Sequence, residues 1–263
     1  MSADRSVGRL DRPAAPYPAI EPEQRVAARV VGFLYIFQMA TAVFGQSFVR
    51  DSMIIRGDAV RSAQNILAHE RLFRLSIAGD LITYTGVIVL MWALYVVVRP
   101  IHRNLALLAV LFRVAETAVL CVATVNSLVV LKLLKGATLE TFTAGQRSSL
   151  AALAIQTQGL GMSVGFVLLG LGSTVFAYLL WKSRYVPRAL AALGIFSSLV
   201  LAFVTLAILA FPGLGETLGI AYMGPMGIYE VGLGLWLLIR GIRTPPAAPA
   251  SAAAATAATA ATE

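Results

Sequence analysis

The chain has 263 residues, of which 58% are hydrophobic and 13% are charged, and its mean hydropathy is +0.79. Soluble domains carry about 25% charged residues, so this chain has too few to cover a globular surface. The composition therefore predicts a polytopic membrane protein, and the single cysteine, Cys121, excludes a disulfide scaffold. The net charge of +8 lies mainly in short loops between apolar segments, which disfavours nucleic acid as a partner.

Six segments are long and apolar enough to cross a bilayer as helices, which requires about 20 mostly apolar residues. They are residues 27–48, 73–98, 105–134, 152–181, 188–211 and 217–239. In lipid, each segment must satisfy its own backbone hydrogen bonds, and no period-two alternation indicates a barrel. The predicted fold is an all-α bundle of six transmembrane helices.

This predicted membrane domain covers residues 25–243. Residues 1–24 are predicted to be a disordered cytoplasmic tail. Residues 244–263 are rich in Ala, Thr and Pro and are also predicted to be disordered.

The loop between the first two spans, residues 49–72, contains a short predicted helix. Asp58 is a favourable N-cap for it. Apolar residues recur near helical spacing after this cap, namely Val60, Ala63, Ile66 and Leu67. We expect an interfacial helix on the outer membrane surface.

The distribution of Lys and Arg predicts the orientation of the chain. If the N-terminus is cytoplasmic, twelve of these residues lie on the inner side and eight on the outer side, while Arg113 lies within a span. Basic residues in short loops favour the cytoplasmic side. Both termini are therefore expected in the cytoplasm.

Several short stretches spread over residues 28–241 carry a family resemblance. They are Ala28-Arg29 before Gly32-Phe-Leu-Tyr35, Gly57-Asp58 before Asn65-Ile66, Glu70-Arg-Leu-Phe-Arg74 before Asp80-Leu81, Leu94-Tyr95 before Arg99-Pro100, Ala106-Leu107 before Phe112-Arg113, Val186-Pro187-Arg188, and Glu230 before Trp236-Leu-Leu-Ile-Arg-Gly241. In these stretches the chain resembles the DUF4386 family of bacterial integral membrane proteins. The resemblance implies a multi-pass protein of the bacterial inner membrane. It supplies no catalytic residues, because the family has no assigned activity.

Four ionisable side chains fall within the predicted spans, where a charge costs at least about 2.5–3.5 kcal/mol on insertion scales. They are Asp80, Arg113, Glu116 and Glu230. The helical rise places Arg113 and Glu230 at similar depth, which predicts that they form an ion pair, and Gln38 reaches a similar level. Polar residues on one face of the third span predict a stripe inside the bundle: Arg113, Glu116, Thr117, Thr124 and Ser127.

At mid-membrane depth one guanidinium faces two carboxyl groups. One of Glu116 and Glu230 would then be stable mainly as the protonated acid. This balance predicts a ligand or proton site formed by Arg113, Glu116, Glu230, Gln38 and Asp80. The alternative is an ionic lock that only fixes the packing of the third and sixth spans.

The start of the sixth span carries a helix-interrupting pair, Gly224-Pro225. Proline interrupts helical hydrogen bonding, so this pair is expected to kink or delay the span. A delayed start would open a cavity above Glu230.

The sequence predicts no metal site and no cofactor. Its two histidines, His69 and His102, are expected on opposite sides of the membrane and so cannot share a metal ion. Gly-rich phosphate loops, Gly-x-Ser-x-Gly elbows and CxxC pairs do not occur in the chain.

The favoured interpretation is a membrane protein that binds or moves a small lipophilic or cationic molecule, with Glu116 and Glu230 as candidates for proton coupling. One alternative is a metal-independent enzyme acting on a lipid, with Asp80, Glu70 or Glu230 as general acid or base. Another is a structural or assembly protein without a ligand. An enzyme is the less favoured class. The expected partners are membrane lipids and a small molecule, and homo-oligomerisation is left open.

Overall fold

The computed structural model describes residues 20–135 and 141–243, apart from the side chain of Glu216. These residues are 88% helical and contain no strand. They form the α-helices α1 (Pro22–Val43), α2 (Asp51–Met53), α3 (Ala59–Ala68), α4 (Glu70–Val98), α5 (Arg103–Lys135), α6 (Ala144–Ser183), α7 (Arg188–Ala210), α8 (Pro212–Leu218) and α9 (Gly224–Ile239). A π-helical segment, Phe44–Arg50, continues α1 into α2. Residues 1–19 of the predicted N-terminal tail and the whole predicted C-terminal tail lie outside the described residues.

Six helical units in the described ranges have the length and apolar composition needed to cross a membrane, which confirms the predicted all-α bundle. They are Pro22–Met53, Glu70–Val98, Arg103–Lys135, Ala144–Ser183, Arg188–Ala210 and Ala221–Ile239.

Both α1 and α6 begin before the predicted spans, because polar capping residues extend them. The backbone amide of Glu21 donates to Oε1 of Gln24 at 3.0 Å, so residues 22–24 belong to a helix and not to a tail. At α6, the backbone amide of Thr143 donates to Oε1 of Gln146 at 2.8 Å, and Oγ1 of Thr143 accepts from the Gln146 amide at 3.3 Å. Such reciprocal caps satisfy amide groups that have no partner within the helix.

The short helix predicted in the first loop is present as α3. Oδ1 of Asp58 caps it by accepting a backbone hydrogen bond of 2.9 Å from its first turn. Ala63 and Ile66 are buried against the bundle, whereas Val60 and Leu67 are exposed. Only half of the predicted apolar face therefore packs against the protein.

The six long helices close into a ring in the order α1, α4, α5, α6, α7, α9, in which each helix packs against its two neighbours and α9 returns to α1. The start of α1 and the end of α9 lie at the same end of this ring, which we call the terminus end. The opposite end, which carries α2 and α3, is the α3 end.

Two separate apolar clusters fill the ring. The larger lies towards the terminus end and includes Val31, Leu90, Leu94, Val97, Phe176, Leu180, Leu233 and Leu237. The smaller lies at the α3 end and includes Val49, Met53, Ile66, Phe73, Ile77, Val130, Leu131 and Ala151. The residues between the clusters, at the middle of the ring, include the ionisable side chains that the sequence singles out.

Close backbone contact between α1 and α9 depends on Gly32. A Cβ atom at this position would lie 2.4 Å from the backbone nitrogen of Leu238 and 2.8 Å from the carbonyl oxygen of Gly234. Backbone atoms cannot move aside as a flexible side chain can. The small residue therefore sets the distance between the two helices.

We expect Gly32→Ala to lower the free energy of unfolding by about 1–3 kcal/mol, because the added methyl overpacks the contact between the helices. Gly79→Ala is the matched control, since a Cβ atom at Gly79 in α4 meets no atom within 4 Å. Thermal unfolding of both purified variants in one detergent measures the difference. Equal melting temperatures would contradict this account of the packing.

Candidate functional site

A cavity of about 290 Å³ lies in the middle of the ring, between α1, α4, α5, α6 and α9. Its polar lining residues are Gln38, Gln46, Arg50, Asp80, Thr83, Tyr84, Arg113, Glu116 and Glu230. Its apolar lining residues are Met39, Ala42, Val87, Leu120, Met162, Phe166 and Leu169. A volume of this order suits a small organic molecule.

All five residues that the sequence nominates for a mid-bundle site line this one cavity. Gln38 comes from α1, Asp80 from α4, Arg113 and Glu116 from α5, and Glu230 from α9. The ring arrangement thus brings together side chains that are up to 192 positions apart, from Gln38 to Glu230.

Arg113 forms its close ion pair with Glu116 on the same helix. Nη1 of Arg113 lies 2.9 Å from Oε2 of Glu116, and only 2% and 5% of the two side chains are exposed. The guanidinium N–H groups are poorly aligned with the carboxylate of Glu116. Nε and Nη1 of Arg113 accordingly have no hydrogen-bond partner among the described residues. The contact is therefore an ionic pair that leaves N–H groups of the guanidinium unsatisfied.

The predicted ion pair between Arg113 and Glu230 is not present in the described residues, where Glu116 takes the place of Glu230. Residues three apart on one helix are neighbours whatever the rest of the fold does. Glu230 lies on α9, which packs against α1 and α7 and not against α5. Similar depth therefore places Glu230 in the same cavity without placing it against Arg113.

The stem of Arg113 is held by close packing of α5 on α6. A Cβ atom at Gly172 would lie 2.8 Å from Cγ of Arg113 and 3.1 Å from the carbonyl oxygen of Ala109. The absence of a side chain at residue 172 leaves the space that the arginine stem occupies.

The predicted polar stripe of α5 is also buried, and Oγ of Ser127 donates to Oε1 of Gln158 at 2.6 Å.

Arg50 is a cavity residue that the sequence does not identify, because it lies beyond the first predicted span. It forms an ion pair with Asp80 of α4, and its Nη1 donates to Oδ1 of Asp80 at 3.4 Å. The π-helical segment brings Arg50 to this position, with 8% of the residue exposed. π-Helical geometry is rare and shifts the register of the residues that follow, so helical periodicity does not reveal it.

Glu230 differs from the other two carboxyl groups of the cavity. It is only 8% exposed, yet within the described ranges it has neither an ion pair within 4 Å nor a hydrogen bond to another side chain. Its neighbour Tyr229 is fixed against α7, where a Cβ atom at Gly194 would lie 2.4 Å from the tyrosine ring. α9 thus holds a buried carboxyl at the cavity wall without an ion pair within 4 Å in the described residues.

The charge balance of the cavity follows from these contacts. Two guanidinium groups and three carboxyl groups line it, and each guanidinium is matched by one carboxylate, Arg50 by Asp80 and Arg113 by Glu116. The remaining carboxyl belongs to Glu230. In an apolar surrounding it is stable when it holds a proton or faces a cation.

No cluster of three His, Cys, Asp or Glu side chains arranged as metal ligands occurs in residues 20–135 and 141–243. The two histidines flank α4, with His69 directly before its start and His102 beyond its end. The length of that helix separates them.

The family model described as "Domain of unknown function (DUF4386)" matches residues 30–241 of the chain. The chain belongs to the DUF4386 family. The match includes the whole cavity lining, from Gln38 to Glu230. Searches of the curated proteins and of the solved structures found no match. This family has no assigned function.

We expect Glu116→Gln to destabilise the protein more than Glu230→Gln. Removing the partner of Arg113 leaves a buried guanidinium unpaired, which costs about 3–5 kcal/mol. Arg113→Gln combined with Glu116→Gln should recover most of this loss, because it removes both charges. Thermal unfolding of the single and double variants measures the coupling. If Arg113→Gln couples more strongly to Glu230→Gln, the pair predicted from depth is correct instead.

Proposed function

We propose that this membrane protein binds a small lipophilic cation in the mid-bundle cavity and moves it across the membrane in exchange for a proton, with Glu230 as the exchanging group. The observation that carries the proposal is the single carboxyl left over after Arg50 pairs with Asp80 and Arg113 with Glu116. A site with one excess negative charge selects an occupant with one positive charge.

The apolar part of the cavity lining indicates the chemistry of the part of the ligand that carries no charge. Met39, Met162, Phe166 and Leu169 supply polarisable and apolar surface to the same lining. Methionine adapts to ligands of different shape, because its side chain is flexible and its sulfur is polarisable. A ligand with a cationic head and an apolar body satisfies both parts of the lining.

Proton exchange follows from the same charge balance. An ionised Glu230 in an empty cavity would be a buried unpaired charge, so the empty state retains a proton. An arriving cation stabilises the carboxylate and the proton leaves. Binding of cation and proton at one carboxyl is mutually exclusive, which is the requirement for exchange.

The alternative roles find less support in the contacts. A lipid-modifying enzyme would need a free carboxyl near the headgroups, but Asp80 is paired with Arg50, and Glu70 contacts Lys135 at 2.9 Å and Arg74 at 2.7 Å. A purely structural ionic lock accounts for the two ion pairs of the cavity. It does not account for Glu230.

The orientation belongs to the same proposal, with the terminus end in the cytoplasm of a bacterial cell and the α3 end outside the inner membrane. Basic residues support it, because the whole sequence has twelve Lys and Arg on the side of the termini and eight on the other side, and cytoplasmic loops are enriched in them. Of the twelve on the side of the termini, those in the described ranges are Arg25, Arg29, Arg99, Arg103, Lys182, Arg184, Arg188, Arg240 and Arg243.

Hexyltrimethylammonium is a suitable probe, because its charge does not change with pH. We expect its affinity for the wild-type protein in lipid nanodiscs to weaken as pH falls, since protons compete for Glu230, and each bound cation to release up to one proton. Glu230→Gln should reduce the affinity at least about tenfold and abolish proton release. Isothermal titration in buffers of different ionisation enthalpy measures both quantities.

Glu23→Gln is the matched control, because it removes a carboxyl from the exposed start of α1. It should bind the probe as the wild type does. Comparable melting temperatures must show that the Glu230→Gln protein is folded. Equal binding by folded Glu230→Gln and wild type would overturn the proposed function.

A further inference from the structure

We infer that the ligand enters the cavity sideways from the lipid phase, through an opening between α1 and α6 beside Ala42. The inference rests on the proposed function and narrows its substrates to amphiphilic cations that partition into the membrane, as opposed to water-soluble ions of the same charge.

The sixth span does not contact α1 over its whole length. Its α-helix, α9, has 16 residues and is about 24 Å long. It begins at Gly224, whereas the predicted sixth span begins at residue 217, and the 3-10 turn that precedes it, Ala221–Met223, packs against α7. The preceding helix α8 packs against α7. Above its first turn, α9 therefore does not fill the space between α1 and the far side of the ring.

The helices on the two sides of this gap have no extended contact with each other in the described residues. α1 packs mainly against α4 and α9, and α6 packs mainly against α5 and α7. Both nevertheless line the cavity, α1 through Met39 and Ala42, and α6 through Met162 and Phe166. Between them in the ring stand α7, none of whose described residues lines the cavity, and α9, which contributes Glu230. On this side of the cavity, Glu230 is therefore the one lining residue between α1 and α6 among the described residues.

The outward-facing side chains around the opening are mainly apolar, with Gln46 as a polar, exposed lining residue one turn from Ala42. Ala42 lines the cavity and is itself exposed. Large exposed side chains follow it on the same helix, with Phe44 at 50% and Phe48 at 67% exposure. On α6, Leu160 and Val164 are exposed on either side of Met162. Such surfaces of a spanning helix face lipid, so the opening leads to lipid.

Contacts between helices lie beyond the cavity in both directions along the ring axis. Towards the terminus end lies the larger apolar cluster, and the helices there are tied together: Nε2 of Gln24 donates to the carbonyl oxygen of Val97 at 2.9 Å, and Arg29 donates to that of Leu238 at 2.6 Å. Towards the α3 end lie the Arg50–Asp80 pair and the smaller cluster.

The small side chain at residue 42 offers a direct test. Ala42→Trp places a bulky ring in the opening, whereas Ala40→Trp adds the same ring to an exposed position of α1 that does not line the cavity. Ala42→Leu is a milder second variant in case the tryptophan impairs folding. Tritiated hexyltrimethylammonium and tetramethylammonium, which share a head group, are the probes, and a scintillation proximity assay on protein in nanodiscs follows their exchange.

We expect Ala42→Trp to slow the exchange of hexyltrimethylammonium at least about tenfold, Ala42→Leu to slow it less, and Ala40→Trp to leave it unchanged. Tetramethylammonium should bind weakly to all of them, because it lacks the apolar chain that the lining buries. If binding depends on Glu230 but the exchange rates of Ala42→Trp and Ala40→Trp are equal, side entry is overturned and the proposed function is not. Absence of Glu230-dependent binding in the wild type would overturn the proposed function, and this inference with it.

Discussion

The central constraint on this bundle is that a charge placed among apolar helices needs an opposite charge within a few ångströms. Two arginines meet this constraint in different ways. Arg113 has its partner one turn away on α5, so this pair forms as soon as the helix forms. Arg50 finds Asp80 on another helix, so this second pair also joins α1 to α4. The two pairs neutralise four of the five charged groups around the cavity and leave Glu230 as the group whose state depends on what else is present.

Helix packing explains why Glu230 has no partner. The close fit of Gly172 around the Arg113 stem holds the arginine on the α5–α6 side of the ring. The contact of Gly194 with the Tyr229 ring fixes α9 against α7, and Gly32 fixes it against α1. Protein interiors pack densely and shift little without cost. The guanidinium and the third carboxyl therefore stand on different helices, α5 and α9, and both line the cavity.

The sequence predicts much of this arrangement, and its failures have a common cause. Hydropathy identifies the six spans, and Asp58 identifies the start of α3, because both signals are local. The depth of each ionisable residue follows from helical rise, which is why the five nominated residues line one cavity. The ion-pair partner of Arg113 differs from the predicted one because depth in the membrane does not determine which side of the cavity a residue occupies. The side depends on the order of the helices in the ring. Arg50 escapes prediction because a π-helical register is needed to direct it inward.

The carboxyl without an ion-pair partner and the proposed side opening both trace to α9. Its α-helix starts at Gly224, beside the proposed opening, and its packing against α1 and α7 leaves Glu230 without an ion pair within 4 Å. On the proposed function, a longer sixth helix would close the opening, and a third cation at the cavity would neutralise Glu230, so either change would remove the proposed basis for binding. The proposed occupant needs a positive charge to replace the proton and an apolar body to pass the rim. Selectivity, proton release and route of entry, as proposed, all depend on where this one helix begins and on which neighbours it packs against.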